Sequence, residues 1–149
     1  MKFSRDLILR YLENVYVMQL ATAGGEQPWA CTVYFVFDDK LNIYWLSLPD
    51  RRHSQEIEKN PKVAITMAIK QDLPVIGLGA EGVAEIVNDK KTVAAVIKKY
   101  IAKYNSGEKF YEKFLAGENQ HRMYKFTPKK YVLFDEVNFP KDNSVDYIL

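Results

Sequence analysis

The stretch "WACTVYFVFDDKLNIYWLSLPDRRHSQEIEKNP", Trp29 to Pro61, reads as two strands, a tight connection and a short helix. Along the first strand, Trp29 to Asp38, side chains alternate between two faces. Trp29, Cys31, Val33, Phe35 and Phe37 form a wholly apolar face that belongs in a barrel interior. Ala30, Thr32, Tyr34, Val36 and Asp38 form a small, mixed face. That second face is too apolar for free water yet carries hydroxyls. It suits a flat, partly polar ligand, a partner subunit, or helices of the same chain lying over it. "DDKLN" closes a hairpin to the next strand, "IYWLSL". A helix then runs from Asp50, as its N-cap, to about Asn60, where Pro61 stops it.

The start of that helix is unusual. Arg51, Arg52 and His53 crowd its first turn, which is already the positive end. Ser47 lies just before it and Ser54 just inside it. Free backbone N–H groups, two guanidinium forks and two hydroxyls are the chemistry a phosphate needs. The duller alternative is a solvated helix start neutralised by Asp50, Glu56 and Glu58, with His53 packed beside Ile57.

Working outward, Ser4 can cap a helix over Arg5 to Asn14, with an apolar stripe of Leu7, Ile8, Tyr11 and Leu12. Val15 to Ala23 is β-branched and apolar, hence a strand, and "GGEQP" is a turn. Lys62 to Lys70 and Val75 to Val87 are further strands. Glycines 77, 79 and 82 in the second suggest bends or close backbone approach. Asp89 to Tyr104 repeats apolar residues at helical spacing, and "EKFYEKFLAG" is a second helix. "HRMYKFTP" and "KKYVLFDEV" give one or two final strands, and the polar tail is expected to be loose. Hairpin-linked strands with few helices between them predict a mostly β fold with peripheral α-helices, an antiparallel barrel. The expected organisation is one domain over 1–149, with an N-terminal helix within 1–14, a helical insertion at 89–117 and a loose tail at 140–149.

Composition narrows the function. A chain of 149 residues that is 48% hydrophobic can bury a packed core. A net charge of +2 gives no bulk electrostatic case for nucleic acid or a membrane surface. The single cysteine, Cys31, excludes an intramolecular disulfide and a cysteine-based zinc site, and two histidines argue against a histidine-rich metal site. "MKFSRDLILRYLEN" has scattered charges and reads as neither signal peptide nor membrane span, so a cytoplasmic setting is expected. No Walker loop, dinucleotide fingerprint or Ser-His-Asp order is present, and His121 reads as structural. No side chain is a convincing general base, so no catalytic residue is named.

From Val15 to Val87 the order of parts resembles the FMN-binding split barrels related to pyridoxamine 5′-phosphate oxidase. The resemblance rests on "PWACTVYF", a hairpin, "YWLS", a basic "RRH" at a helix start, "NPKVA" and "EG-x-A". It implies a homodimeric split β-barrel with FMN in a groove between subunits, acting as an oxidoreductase on a small-molecule substrate. It places Arg52 and His53, with Arg51 just before, at the FMN phosphate. Leu46 and Ser47 fall where the preceding strand touches the cofactor, and Thr32, Val33 and Tyr34 lie along the ring. His53 in place of a lysine implies one contact that titrates near about 6.5. The chain also departs from the pattern. Cys31 or a neighbour stands where the oxidases carry an arginine, and Gly77 is nearest to a glutamine. Their tryptophan and arginine for the pyridoxal substrate have no counterpart after Tyr131. Pyridoxamine phosphate is therefore not the expected substrate. The alternative is a non-catalytic module of the same fold that binds flavin, deazaflavin or haem.

Overall fold

A computed structural model describes Met1 to Leu149. Its strands are β1 (Val17–Thr22), β2 (Trp29–Tyr34), β3 (Val36–Phe37), β4 (Ile43–Ser47), β5 (Lys62–Lys70), β6 (Ile76–Ile86), β7 (Arg122–Asp135) and β8 (Ser144–Ile148). The helices are α1 (Arg5–Glu13), α2 (Arg52–Lys59), α3 (Lys90–Tyr104) and α4 (Glu108–Leu115). Every pairing is antiparallel, in the order β2-β1-β5-β6-β7-β4-β3, with β8 added to β7. The two ends of that path, β2 and β3, are consecutive in the chain. The sheet therefore curls until its first and last strands nearly meet, giving an open, split barrel with peripheral helices.

Strand alternation fills the barrel. Met18, Leu20, Ile65, Leu78, Trp45 and Phe126 point inward and are buried. Trp45 and Tyr124 face each other across β4 and β7 and stack with ring centroids 5.6 Å apart. Helix α1 presses Leu7, Ile8 and Leu12 into the same core, and the Ser4 hydroxyl caps it by accepting from Leu7 N. A second, smaller core lies outside the barrel. There Val36, Tyr44 and Met123 meet Val96, Ile97 and Tyr100 of α3 and Tyr111 of α4.

Two expectations are corrected, and one that left two options is decided. The strand from Trp29 to Asp38 breaks at Phe35, whose backbone leaves the ladder before β3 begins. The tail expected to be loose ends in β8, which pairs Ile148 with Lys130 through Ser144 with Phe134. The last apolar run is one strand, β7, bent near Pro128, where the pairing with β6 shifts register. Proline is tolerated there because β4 pairs only up to Phe126 and β8 only from Lys130, so one edge of β7 is free between them.

Asp135, at the end of β7, ties α1 to the barrel. It is fully buried and accepts from Tyr11 Oη (2.8 Å), Asn138 Nδ2 (2.7 Å) and the backbone N–H groups of Val137 and Asn138. Burial pushes its carboxyl up, but the donors from Asn138, Tyr11 and Val137 together outweigh it and hold the pKa below the ordinary value. A depressed folded pKa stabilises the fold above the unfolded value, and that stability is lost as pH falls through the folded one. Denaturant titrations from about pH 5 down to about pH 2 should therefore show a smaller acid loss in Asp135→Asn than in the parent. The variant should also be less stable than the parent at pH 7. Identical acid limbs in the two proteins would remove Asp135 from this role.

Candidate functional site

The crowded helix start resolves into separate environments. Helix α2 begins one residue later than expected, with Arg51 as its N-cap residue and no side-chain cap. The reason is a turn in which Arg51 N–H donates to the Leu48 carbonyl, leaving Asp50 outside the helix. Arg52 turns back along the helix and donates through Nε to Glu56 Oε2 at 2.7 Å, while its guanidinium lies 4.2 Å from the centre of the Trp29 ring. Glu56 in turn accepts from Thr22 Oγ1 (2.8 Å) and Gly24 N (3.3 Å). The Arg52 bond first, then Thr22 and Gly24, hold its carboxyl below the usual range against the effect of burial. Gly24 has no side chain because a Cβ there would sit 2.5 Å from the Glu56 backbone. The duller reading of the basic cluster therefore holds for Arg52, with Glu56 as its neutralising partner.

His53 is buried, and its Nε2 lies 2.6 Å from Ser47 Oγ. Burial first, and then the Arg51 charge, push its pKa down. The imidazole is thus neutral at pH 7 and is not the titrating cation expected from the sequence. Arg51 and Arg52 are both exposed, but Arg51 makes no ion pair. Beside it lie the uncapped N–H groups that open α2. Just inside the helix, the Ser54 hydroxyl is buried without a partner.

Strands β2 and β4 run past each other in opposite senses across the split. Trp29 at the start of β2 meets Arg52, beyond the end of β4. At the other end of β2, Tyr100 Oη donates towards the carbonyls of Tyr34 (3.2 Å) and Tyr44 (3.1 Å). Thr32 and Leu46 therefore lie on the outer faces of facing strands, with Arg51 at one mouth of the groove. Successive residues of an antiparallel strand turn their N–H and C=O alternately to either side. Since the Tyr34 carbonyl points away from β1 to Tyr100, the N–H and C=O of Thr32 also lie on the free edge. Thr32 and Tyr34 are exposed and Val33 is half-buried. The mixed face of this strand is thus divided: α3 covers Val36, and the part from Ala30 to Tyr34 stays open.

Sequence reasoning missed what ends β2. Continuing the β1–β2 register would pair Tyr16 with Phe35. The Tyr104 hydroxyl occupies that place instead. It accepts from Phe35 N (2.9 Å) and lies 2.7 Å from the Tyr16 carbonyl and 2.8 Å from that of Phe35. Lys103 Nζ also donates to the Phe35 carbonyl, and burial pushes its pKa down to about 8. The helical stripe that carries Tyr100 is visible in the sequence, but its partners, far away in the chain, are not. Tyr104→Phe should cost about 1–2 kcal/mol in denaturant unfolding, the penalty for stranding the Phe35 N–H and a carbonyl. It should also speed amide hydrogen exchange at Phe35. A variant as stable and as protected as the parent would dismiss the hydroxyl as a ladder stop.

Comparison with known proteins sets this geometry in context. The sequence profile of the family described as pyridoxamine 5′-phosphate oxidase matches residues 5–134. A UPF0306 protein of Photorhabdus laumondii is 30% identical over 93 residues, which is 60% of this chain and 65% of that protein. The chain thus matches just under two thirds of that relative's length. A conserved hypothetical protein of Mycobacterium tuberculosis superposes with a TM-score of 0.78 at 18% identity, over 94% of this chain and 89% of that one. A haem binding protein of Mycobacterium smegmatis superposes with a TM-score of 0.76 at 14% identity, over 99% of this chain and 59% of that one. At such identities these two superpositions speak for the fold alone. No helix is long and apolar enough to cross a membrane.

Proposed function

Since the chain belongs to the pyridoxamine 5′-phosphate oxidase family, we propose that it is a homodimeric, FMN-binding oxidoreductase acting on a small molecule. The observation that carries this reading is Arg51: an exposed cation without an acidic partner, beside uncapped helix N–H groups, at the mouth of the β2–β4 groove. The phosphate would be held by the Arg51 guanidinium and the backbone N–H groups of Arg52 and His53. The ring would lie along Thr32, Val33 and Tyr34, with the free-edge N–H and C=O of Thr32 available to its polar rim and Leu46 beneath. Ser47 and His53 keep a positioning role, since their mutual bond fixes the helix start against the end of β4. When bound, the flavin supplies the hydride or electron-pair transfer. The chain supplies anchoring, orientation and a partly dry groove.

The dimer is supported by the outer face of β1, β2, β5 and β6, which no helix of this chain covers. It presents Ala30, Thr32, Ala64, Thr66 and Ala68, small side chains that allow close approach of a second sheet. Across it runs a groove of about 990 Å³ between Ala21, Ala64, Val83, Pro128 and Leu149.

The haem alternative finds less support in the side chains. An axial histidine is the common haem ligand; His53 is already engaged by Ser47, and His121 lines a separate cavity outside the β2–β4 groove. A deazaflavin carrying the same phosphate would meet the same residues, and its affinity relative to FMN decides between them. The direct test is to add FMN to flavin-free protein and follow quenching of flavin fluorescence. One FMN per chain and a dimer by light scattering are the expected results, followed by bleaching of the bound flavin on anaerobic mixing with a reduced nicotinamide. Protein that takes up no FMN at any accessible concentration would overturn the reading. Uptake without bleaching by any reductant would leave a binding module and remove the enzyme.

A further inference from the structure

A second cavity, of about 540 Å³, lies on the other side of β4, between the α3–α4 hairpin and the start of β7. Val87, Val93, Phe114, Leu115 and Met123 make its apolar wall. Its polar lining is Asn88, Lys90, Asn119, His121 and Arg122, and no carboxylate lines it. The Arg122 guanidinium is braced by the carbonyls of Gln120 and His121, both at 3.2 Å from Nη1, and makes no ion pair. Lys90, in the first turn of α3, also lacks an acidic partner. Asp89, next to it, is turned to Thr92, whose backbone N–H it caps.

Two further atoms in this wall are unexplained. Asn119 Nδ2 and His121 Nδ1 are buried without any hydrogen-bond partner. The amide orientation of Asn119 is fixed, because its Oδ1 accepts from the His121 N–H at 3.1 Å, so the orphan atom is a donor. Burial, and then the Arg51 charge, keep His121 below the ordinary imidazole value, hence neutral. Buried polar atoms without partners are rare in native proteins and call for a reason. Apolar walls with a few convergent polar groups are the usual build of a small-molecule site. Here the unsatisfied amide is a donor, both charges are positive, and nothing opposes an anion.

We propose that this cavity binds a small organic carboxylate with an apolar body. The carboxylate lies between Arg122 and Lys90, beside Asn119 in the cavity wall. The body packs on Phe114, Leu115 and Met123. The assignment stands whether or not the β2–β4 groove holds flavin, because it uses none of the same side chains.

The test uses flavin-free full-length protein and titration calorimetry, with benzoate and 4-methylpentanoate as probes. Benzyl alcohol and inorganic phosphate are the comparators: one has a body without the charge, the other the charge without a body. At least one carboxylate should saturate a single site, at least tenfold more tightly than either comparator. Arg122→Ala should weaken that carboxylate at least tenfold, whereas Lys99→Ala, outside the cavity, should leave it unchanged. If Arg122→Ala does not fold, Lys90→Ala must show at least a threefold loss. The proposal is overturned if neither carboxylate binds, if benzyl alcohol binds as well as benzoate, if phosphate binds as well as either carboxylate, or if binding ignores the cavity variants. FMN uptake, measured separately, reports on the flavin reading alone.

Discussion

Gly82→Ala is expected to destabilise the protein by about 3 kcal/mol, the upper end of the cost of overpacking a tight interior. A Cβ at this position would lie 2.1 Å from the Thr127 carbonyl oxygen and 2.9 Å from both Phe126 Cε2 and Pro128 Cα. Two of those three atoms belong to the backbone of β7 and have no rotamer to escape into. They also sit at the register shift where β7 bends, so relief requires moving the neighbouring strand. Gly77, on the same strand, is the control, because a Cβ there meets nothing within 4 Å. Gly77→Ala should change stability by no more than about 0.5 kcal/mol, and in the favourable direction if the unfolded chain loses freedom. Denaturant midpoints of the two variants check this. Equal destabilisation by both would mean that strand propensity, rather than the contact with β7, decides the effect.

This contrast shows what was legible in the sequence. Three glycines in one strand raised the possibility of close backbone approach, but only Gly82 needs it. Glycines 77 and 79 have room for a Cβ, with the nearest atom to Gly79 at 3.6 Å. Strand periodicity and hairpin spacing reveal which residues alternate into the barrel, so the mostly β architecture could be read from the chain. They do not reveal where a ladder stops. The break at Phe35 is imposed by the Tyr104 hydroxyl, 69 residues later. The C-terminal strand was hidden for a related reason. "SVDYI" is polar enough to pass for a tail; it pairs with the open edge of β7 and turns only Val145 and Tyr147, both partly buried, onto the core. At the basic cluster the sequence puts Arg51, Arg52 and His53 together at one helix start, and the structure gives each a different environment. Glu56 follows Arg52 by one helical turn, so the pairing could have been anticipated from spacing alone. The anchoring of Glu56 to Thr22 and Gly24 could not, since it depends on how α2 packs against the end of β1.

Arg51→Ala is expected to weaken FMN binding by about 1.5–3 kcal/mol, the value of a hydrogen bond to a charged group, or roughly ten- to 150-fold in Kd. The specificity of the effect matters more than its size. Riboflavin has the same ring and no phosphate, so its affinity should be nearly unchanged in the same variant. Added salt should weaken FMN binding to the parent more than to Arg51→Ala, because the lost contact is the exposed, screened one. Arg52→Ala should behave differently. Its guanidinium is held by Glu56 and Trp29, so its loss should lower the unfolding midpoint and leave the preference for FMN over riboflavin intact. The pH dependence separates the roles further. A histidine whose folded pKa is depressed is already neutral at pH 7, so raising the pH cannot remove a charge from it. Between about pH 7 and 9, above the second phosphate ionisation near 6, the preference for FMN over riboflavin should therefore stay flat, because Lys103, at about 8, lies at the ring end of the groove and would meet both flavins alike. A loss of that preference through the window, or an Arg51→Ala variant that loses riboflavin and FMN equally, would move the phosphate away from this helix start.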